Sequence, residues 1–132
     1  MNMRRQVLLV EDDESTIEVV KMELEFLGYD VMIAKDGLQA LQMLGEKEPD
    51  LVIMDIQLPK MDGFEAVRQI RTDPAIRDIP ILAATAKALT GDQEKCIAAG
   101  CDGYIAKPFT HRELETAING TLKRRAGKSR GD

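Results

Sequence analysis

A fivefold alternation restricts the fold of this chain more than any other feature. Short apolar runs rich in β-formers are each followed by a stretch whose apolar residues recur at helical spacing. The runs are Gln6 to Val10, Tyr29 to Ala34, Leu51 to Met54, Ile79 to Ala84 and Tyr104 to Ala106. Between them, Ile17, Val20, Leu24 and Leu27 predict a first helix that Gly28 stops, and Leu38, Leu41 and Leu44 a second that opens at Asp36-Gly37 and ends at Gly45. Phe64, Val67 and Ile70 mark a third, ending ahead of Asp73-Pro74 because the residue before a proline avoids helical angles. Leu89, Cys96, Ile97 and Ala98 mark a fourth that closes at Gly100, and Leu114, Ala117, Ile118 and Leu122 the fifth. Ser15 with Glu18, Thr90 with Gln93 and Thr110 with Glu113 have capping-box spacing. Parallel strands joined through helices cross over right-handedly, which leaves an α/β, doubly wound five-stranded parallel sheet with helices on both faces. The expected strand order is 2-1-3-4-5, with the better-alternating run at Tyr29 to Ala34 on an edge.

At 132 residues the chain makes one domain, expected over 1–122 and followed by a basic flexible tail over 123–132. Five of the 18 basic residues fall in that tail, against one of the 23 acidic ones, so residues 1–122 carry a net charge of −9. A body of that sign repels nucleic acid and anionic membranes, and neither is expected as a partner. The tail reads as a solvated fray. Cys96 and Cys101 are too few for a disulfide framework and fit no metal-ligand pattern, so reduced, partly buried thiols are expected. The apolar run Val7 to Val10 is far too short for a signal-peptide core or a membrane span, and a cytoplasmic location is the expectation.

Strand ends carry the chemistry. Val10 runs into Glu11-Asp12-Asp13-Glu14, and Met54 runs into Asp55, after which Pro59 and Asp62-Gly63 force a turn. With the first and third strands adjacent, Glu11, Asp12 and Asp55 converge at the carboxyl edge of the sheet. Carboxylates about 4 Å apart repel by roughly 4 kcal/mol at an effective dielectric near 20, so a cation is implied. Acidic side chains with a main-chain carbonyl and water suit Mg²⁺ or Mn²⁺ rather than zinc. Such an ion neutralises the cluster and screens an incoming phosphoryl group, which Asp55 could attack to form an acyl phosphate. Thr85 and Lys107, from the ends of the fourth and fifth strands, border the same crevice and can contact phosphoryl oxygens. Asp13 and Glu14 read better as helix-capping acids, and Tyr104 as packing.

Those residues resemble the receiver domains of bacterial two-component response regulators over roughly residues 5 to 122. Glu11-Asp12 is similar to the family's acidic pair, Asp55 to its phospho-acceptor, Thr85-Ala86 to its switch hydroxyl, Tyr104 to its switch aromatic and Lys107-Pro108 to its lysine with a cis-proline bond. The resemblance implies a flavodoxin-like fold and Mg²⁺ held by Asp12, Asp55 and the carbonyl of Gln57. It also implies phosphoryl supply from a sensor histidine kinase or a histidine phosphotransfer protein. The segment Met54 to Pro59 is most similar to stand-alone single-domain regulators or receivers of hybrid kinases. The resemblance thus implies a phospho-acceptor signalling domain rather than an enzyme with an external substrate. Phosphorylation would draw Thr85 inward, let Tyr104 rotate, and reshape the face of helix 4, strand 5 and helix 5 toward an unknown downstream protein. Gln57 and Lys87 flank the phosphoryl site and are expected to tune hydrolysis. A haloacid-dehalogenase-like phosphatase is disfavoured because Gln57 stands where those enzymes carry an acid-base Asp. A nucleotide-binding protein is disfavoured because acids, not a glycine-rich loop, come after the first strand. Intact key residues weigh against a degenerate receiver that only binds protein.

Overall fold

The computed structural model describes residues 4–58, 60–86 and 91–130. Its elements alternate as β1 (Gln6–Val10), α1 (Glu14–Phe26), β2 (Asp30–Ala34), α2 (Gly37–Glu46), β3 (Leu51–Asp55), α3 (Gly63–Thr72), β4 (Ile81–Thr85), α4 (Asp92–Ala99), β5 (Gly103–Ala106) and α5 (His111–Arg130). The strands form one parallel sheet in the order β2-β1-β3-β4-β5. This is the doubly wound order expected from the sequence.

The apolar runs are continuous because both sheet faces are covered: every residue of β3 and of β4 is buried. Val7, Leu9, Leu51, Ile53, Leu82, Ala84 and Ile105 pack with α1 and α5 through Val20, Leu24, Leu114 and Ile118. Alternate strand residues, Leu8, Val10, Val52, Met54, Ile81 and Ala83, pack with α2, α3 and α4 through Leu44, Val67, Ile70 and Cys96. The period of two therefore sorts the strand residues between two helical layers. Edge strand β2 is only partly covered until Ala34.

Local chemistry sets several boundaries differently from the sequence reading. The Ser15 capping box does not form; Asp13, read from the sequence as a capping acid, caps α1, its carboxylate accepting from Thr16 N at 2.9 Å and Thr16 Oγ1 at 2.7 Å. A carboxylate directly after the β1 turn reaches the first free amides before Ser15 can. In α2 the inward residues are Gly37, Ala40 and Leu44, whereas Leu38 is 53% exposed. Gly45 lies within that helix, which ends one residue later. In α4, Cys96 and Ala99 face inward while Ile97 and Ala98 face out, because the helix starts at Asp92 behind Gly91 and is phased accordingly. Strand β4 begins at Ile81, just past Pro80, whose ring supplies no ladder N–H. Leu89 and the Thr90 half of the expected α4 capping box lie outside the described residues, as do Pro59 and Lys87. At α5 the box forms as read: Thr110 N donates to Glu113 Oε1 at 2.9 Å, and Glu113 N to Thr110 Oγ1 at 3.1 Å.

The basic stretch read as a solvated fray continues α5 to Arg130. Its anchor is Asp102, whose fully buried carboxylate takes Arg71 Nη2 at 2.8 Å, Ile81 N at 3.0 Å, Arg125 Nη2 at 2.9 Å and Lys128 Nζ at 3.1 Å. Arg124 Nε adds a bond to the Asp102 carbonyl at 2.6 Å. A charge buried that deeply needs several charged donors, and the end of α5 supplies them. Among the described residues, no helix is long and apolar enough to cross a membrane.

Candidate functional site

The carboxyl edge of the sheet is built by register. Val10 pairs with Met54, Asp55 with Ala84, and Thr85 with Ala106, so Glu11, Asp55, Thr85 and Lys107 fall at or just beyond four neighbouring strand ends. Main-chain bonds continue the ladder there: Glu11 N donates to Ala34 O, Ile56 N to Ala84 O and Lys107 N to Thr85 O, at 2.9, 3.0 and 2.8 Å. The two-residue period then separates the side chains. Glu11, Asp55 and Lys107 continue the α1–α5 face, in phase with Leu9, Ile53 and Ile105. Thr85 and Tyr104 continue the opposite face, in phase with Ala83 and next to α4.

Carboxylate oxygens of Glu11, Asp12 and Asp55 lie within 4.8 Å of one another, with Glu11 and Asp55 buried and Asp12 exposed. Lys107 Nζ is 3.8 Å from Asp55 Oδ2 and closer to Glu11 Oε1, with which it pairs directly. Glu11 Oε2 accepts from Asp13 N at 3.2 Å, and Asp55 Oδ1 from Gln57 N at 3.0 Å. Burial pushes Asp55 up to about 7, the nearby Glu11 adds to that rise, and the Gln57 N–H and Lys107 oppose it. A single ammonium shared by two buried carboxylates leaves the pocket short of positive charge. The donor set is all oxygen, which suits a hard divalent cation such as Mg²⁺ or Mn²⁺.

Sequence reading did not foresee that Lys107 pairs with Glu11 ahead of Asp55. It also missed Gly63 as a site residue. A Cβ at Gly63 would lie 2.6 Å from both Asp55 O and Ile56 Cα, so only glycine lets the start of α3 close against the end of β3. Gly63 N donates to Ile56 O at 2.9 Å, and Asp62 caps the helix by accepting from Glu65 N at 2.9 Å. The Asp62-Gly63 pair was legible only as a turn.

Thr85 is 1% exposed, and Tyr104 is half-buried against the α4-side core with its phenol pushed up chiefly by burial. Gln57 is exposed at the rim. The Lys107-Pro108 peptide bond is cis. Beside Lys107, a groove of about 460 Å³ runs between α1 and Pro108-Phe109, walled by Thr16, Val19, Val20 and Glu23.

A family model described as the response regulator receiver domain matches residues 7–119. The chain is 39% identical over 115 residues to the polar-differentiation response regulator DivK of Brucella ovis, a match spanning 86% of this chain and 94% of that protein. Among solved structures it is similar to the receiver domain of sensor histidine kinase PA1611 from Pseudomonas aeruginosa PAO1, with TM-score 0.84 and 39% identity over 91% of this chain and 98% of that one. That structure has a magnesium ion coordinated in its active-site cleft. The chemotaxis response regulator CheY4 of Vibrio cholerae superposes with TM-score 0.83 at 30% identity, covering 90% of this chain and 99% of its own.

Proposed function

Because this chain belongs to the response regulator receiver domain family of two-component systems, we propose that Asp55 is its phospho-acceptor. On this reading a sensor histidine kinase or histidine phosphotransfer protein supplies the phosphoryl group, and the modified domain controls an unidentified downstream protein. The observation that carries it is the buried Asp55 carboxylate, 3.8 Å from Lys107 Nζ and within 4.8 Å of acidic oxygens from Glu11 and Asp12. No apolar core or simple turn needs those four groups together.

Asp12, Asp55 and the main-chain carbonyl of Gln57 would hold Mg²⁺ or Mn²⁺ against the Glu11 wall, offsetting the acidic charge and that of the incoming phosphoryl oxygens. The protein's own groups do the rest. Asp55 Oδ attacks phosphorus while the imidazole of the donor leaves, and the buried site limits competing attack by water. Lys107, already between Glu11 and Asp55, neutralises phosphoryl oxygens as a point charge. The apolar groove beside Lys107 offers a protein donor a place to rest next to the crevice.

The product carries close to two negative charges at the end of β3. Thr85, one strand over, would donate its hydroxyl to them, and Tyr104, on the same sheet face, would move into the vacated space. The α4–β5–α5 face then differs between the two states, and a partner preferring one of them binds by phosphorylation. Gln57 and Lys87 would set the rate of hydrolysis.

Labelling with a small acyl-phosphate donor and Mg²⁺ tests the assignment. The protein as it stands should gain one phosphoryl group and Asp55→Asn none. Undiminished labelling of the variant would sink the reading.

A further inference from the structure

Cys96 and Cys101 are the only two cysteines of the sequence, and phosphoryl chemistry uses neither. The end of α4 brings them together. Gly100 takes φ of 117°, its N–H donates to Ile97 O at 3.0 Å, and Cys101 N donates to Cys96 O at 2.9 Å. These are the two bonds of a Schellman turn, whose six-residue closure places its first and last side chains in contact. Here those side chains are the two thiols, free, hydrogen-bonded to each other, and 0% and 3% exposed. Packing alone would be satisfied by any small apolar pair.

We propose that Cys96 and Cys101 form a peroxide-sensitive redox site, whose intramolecular disulfide braces the last turn of α4 to the segment entering β5. The order of events comes from the asymmetry of the pair. The hydrogen bond from Cys101 holds the Cys96 thiol below the usual thiol range, while the same bond and burial push Cys101 up. Cys96 sulfur attacks one oxygen of hydrogen peroxide, the O–O bond breaks, and the departing hydroxide leaves as water with the thiol proton. The resulting sulfenic acid is attacked by Cys101 sulfur; the S–S bond forms, the S–O bond breaks, and a second water departs with the Cys101 proton. Two thiols lose two electrons and two protons, and one peroxide becomes two waters. Both sulfurs are closed to solvent in the folded state, so oxidation proceeds through local opening of the end of α4, which admits hydrogen peroxide ahead of a bulky glutathione disulfide.

The brace lies in α4 and at the entry to β5, so its formation is separable from phosphoryl acceptance. Trypsin cleaves after Lys95 and Arg112 but not at Lys107-Pro108, so one peptide, 96–112, carries both cysteines and no methionine. Treating the folded protein with hydrogen peroxide, then unfolding it with an alkylating agent, should give that peptide unalkylated and lighter by two hydrogens. Backbone amides over 96–104 should exchange more slowly in the oxidised protein. Cys101→Ser, which keeps a hydroxyl to donate to Cys96, should lose the light peptide and accumulate a sulfenic acid at Cys96, trapped by dimedone added as the protein is unfolded. Full alkylation of both thiols, higher oxidation without the bond, a disulfide-linked dimer, or equal loss with glutathione disulfide would each overturn the site, as would unchanged exchange over 96–104 for the brace.

Discussion

Asp55 shows how one buried carboxylate couples chemistry to stability. Its folded pKa is pushed from 3.8 to about 7, mainly by burial, so the folded chain keeps this proton to higher pH than the unfolded chain. The group's contribution is most favourable below its unfolded value, falls as pH rises toward the folded one, and is flat beyond. In divalent-free buffer, Asp55→Asn should therefore stabilise the protein at pH 8 by on the order of 2–4 kcal/mol and flatten this part of the pH profile. Chemical denaturation of both proteins at pH 5 and pH 8 checks it; equal unfolding midpoints at pH 8 would contradict the burial of that charge. The same residue was legible in sequence, since an acid directly after a four-residue apolar run stands at a strand end. The sharing of Lys107 was not, because the partners lie 96 residues apart and only strand register decides which carboxylate the ammonium reaches first.

At the scale of single elements, α3 and α5 are held by contacts their own sequences do not display. Gly63 lets α3 start against the main chain of Asp55 and Ile56, and neither backbone atom 2.6 Å from an added Cβ can swing aside. Gly63→Ala should cost about 2–3 kcal/mol and, by displacing the end of β3, slow phosphoryl labelling of Asp55. A variant as stable and as readily labelled as the parent would show that α3 and β3 leave room for a methyl group. Helix α5 carries the opposite lesson. Its first turn was readable from Thr110 and Glu113, because capping chemistry is local. Its last turns looked like a charged, glycine-containing fray, because what holds them is the buried Asp102 on another element. Ending the chain after Leu122 removes Arg125 and Lys128 from that carboxylate and should lower stability by about 2–4 kcal/mol. If truncation left the thermal midpoint in place, the Asp102 cluster would contribute nothing that water does not.

For the whole molecule, the distribution of charge matters more than the total. Acids gather at the carboxyl edge around Glu11, Asp12 and Asp55, and at the other end of the sheet Arg71, Arg125 and Lys128 surround Asp102. A divalent ion that binds the folded edge alone stabilises by mass action, about 2.7 kcal/mol at a hundredfold excess over its dissociation constant. Mg²⁺ should accordingly raise the melting temperature by several degrees, and Asp12→Asn should abolish most of the shift without unfolding the protein. An equal Mg²⁺ response in that variant would place the ion elsewhere. The alternation of apolar runs and helical periods, by itself, determined the doubly wound sheet and the identity of the residues at its carboxyl edge. Those signals are local, and right-handed crossovers leave little else for them to build. The strand order 2-1-3-4-5, in contrast, is one of several such a pattern allows and is settled by the strand pairing. Tertiary structure alone decided that Lys107 pairs with Glu11, that Gly63 is required behind Asp55, that two thiols meet at the end of α4, and that the basic end is helix. Each of those depends on groups distant in sequence or on a phase set by packing, and a one-dimensional pattern carries no measure of either.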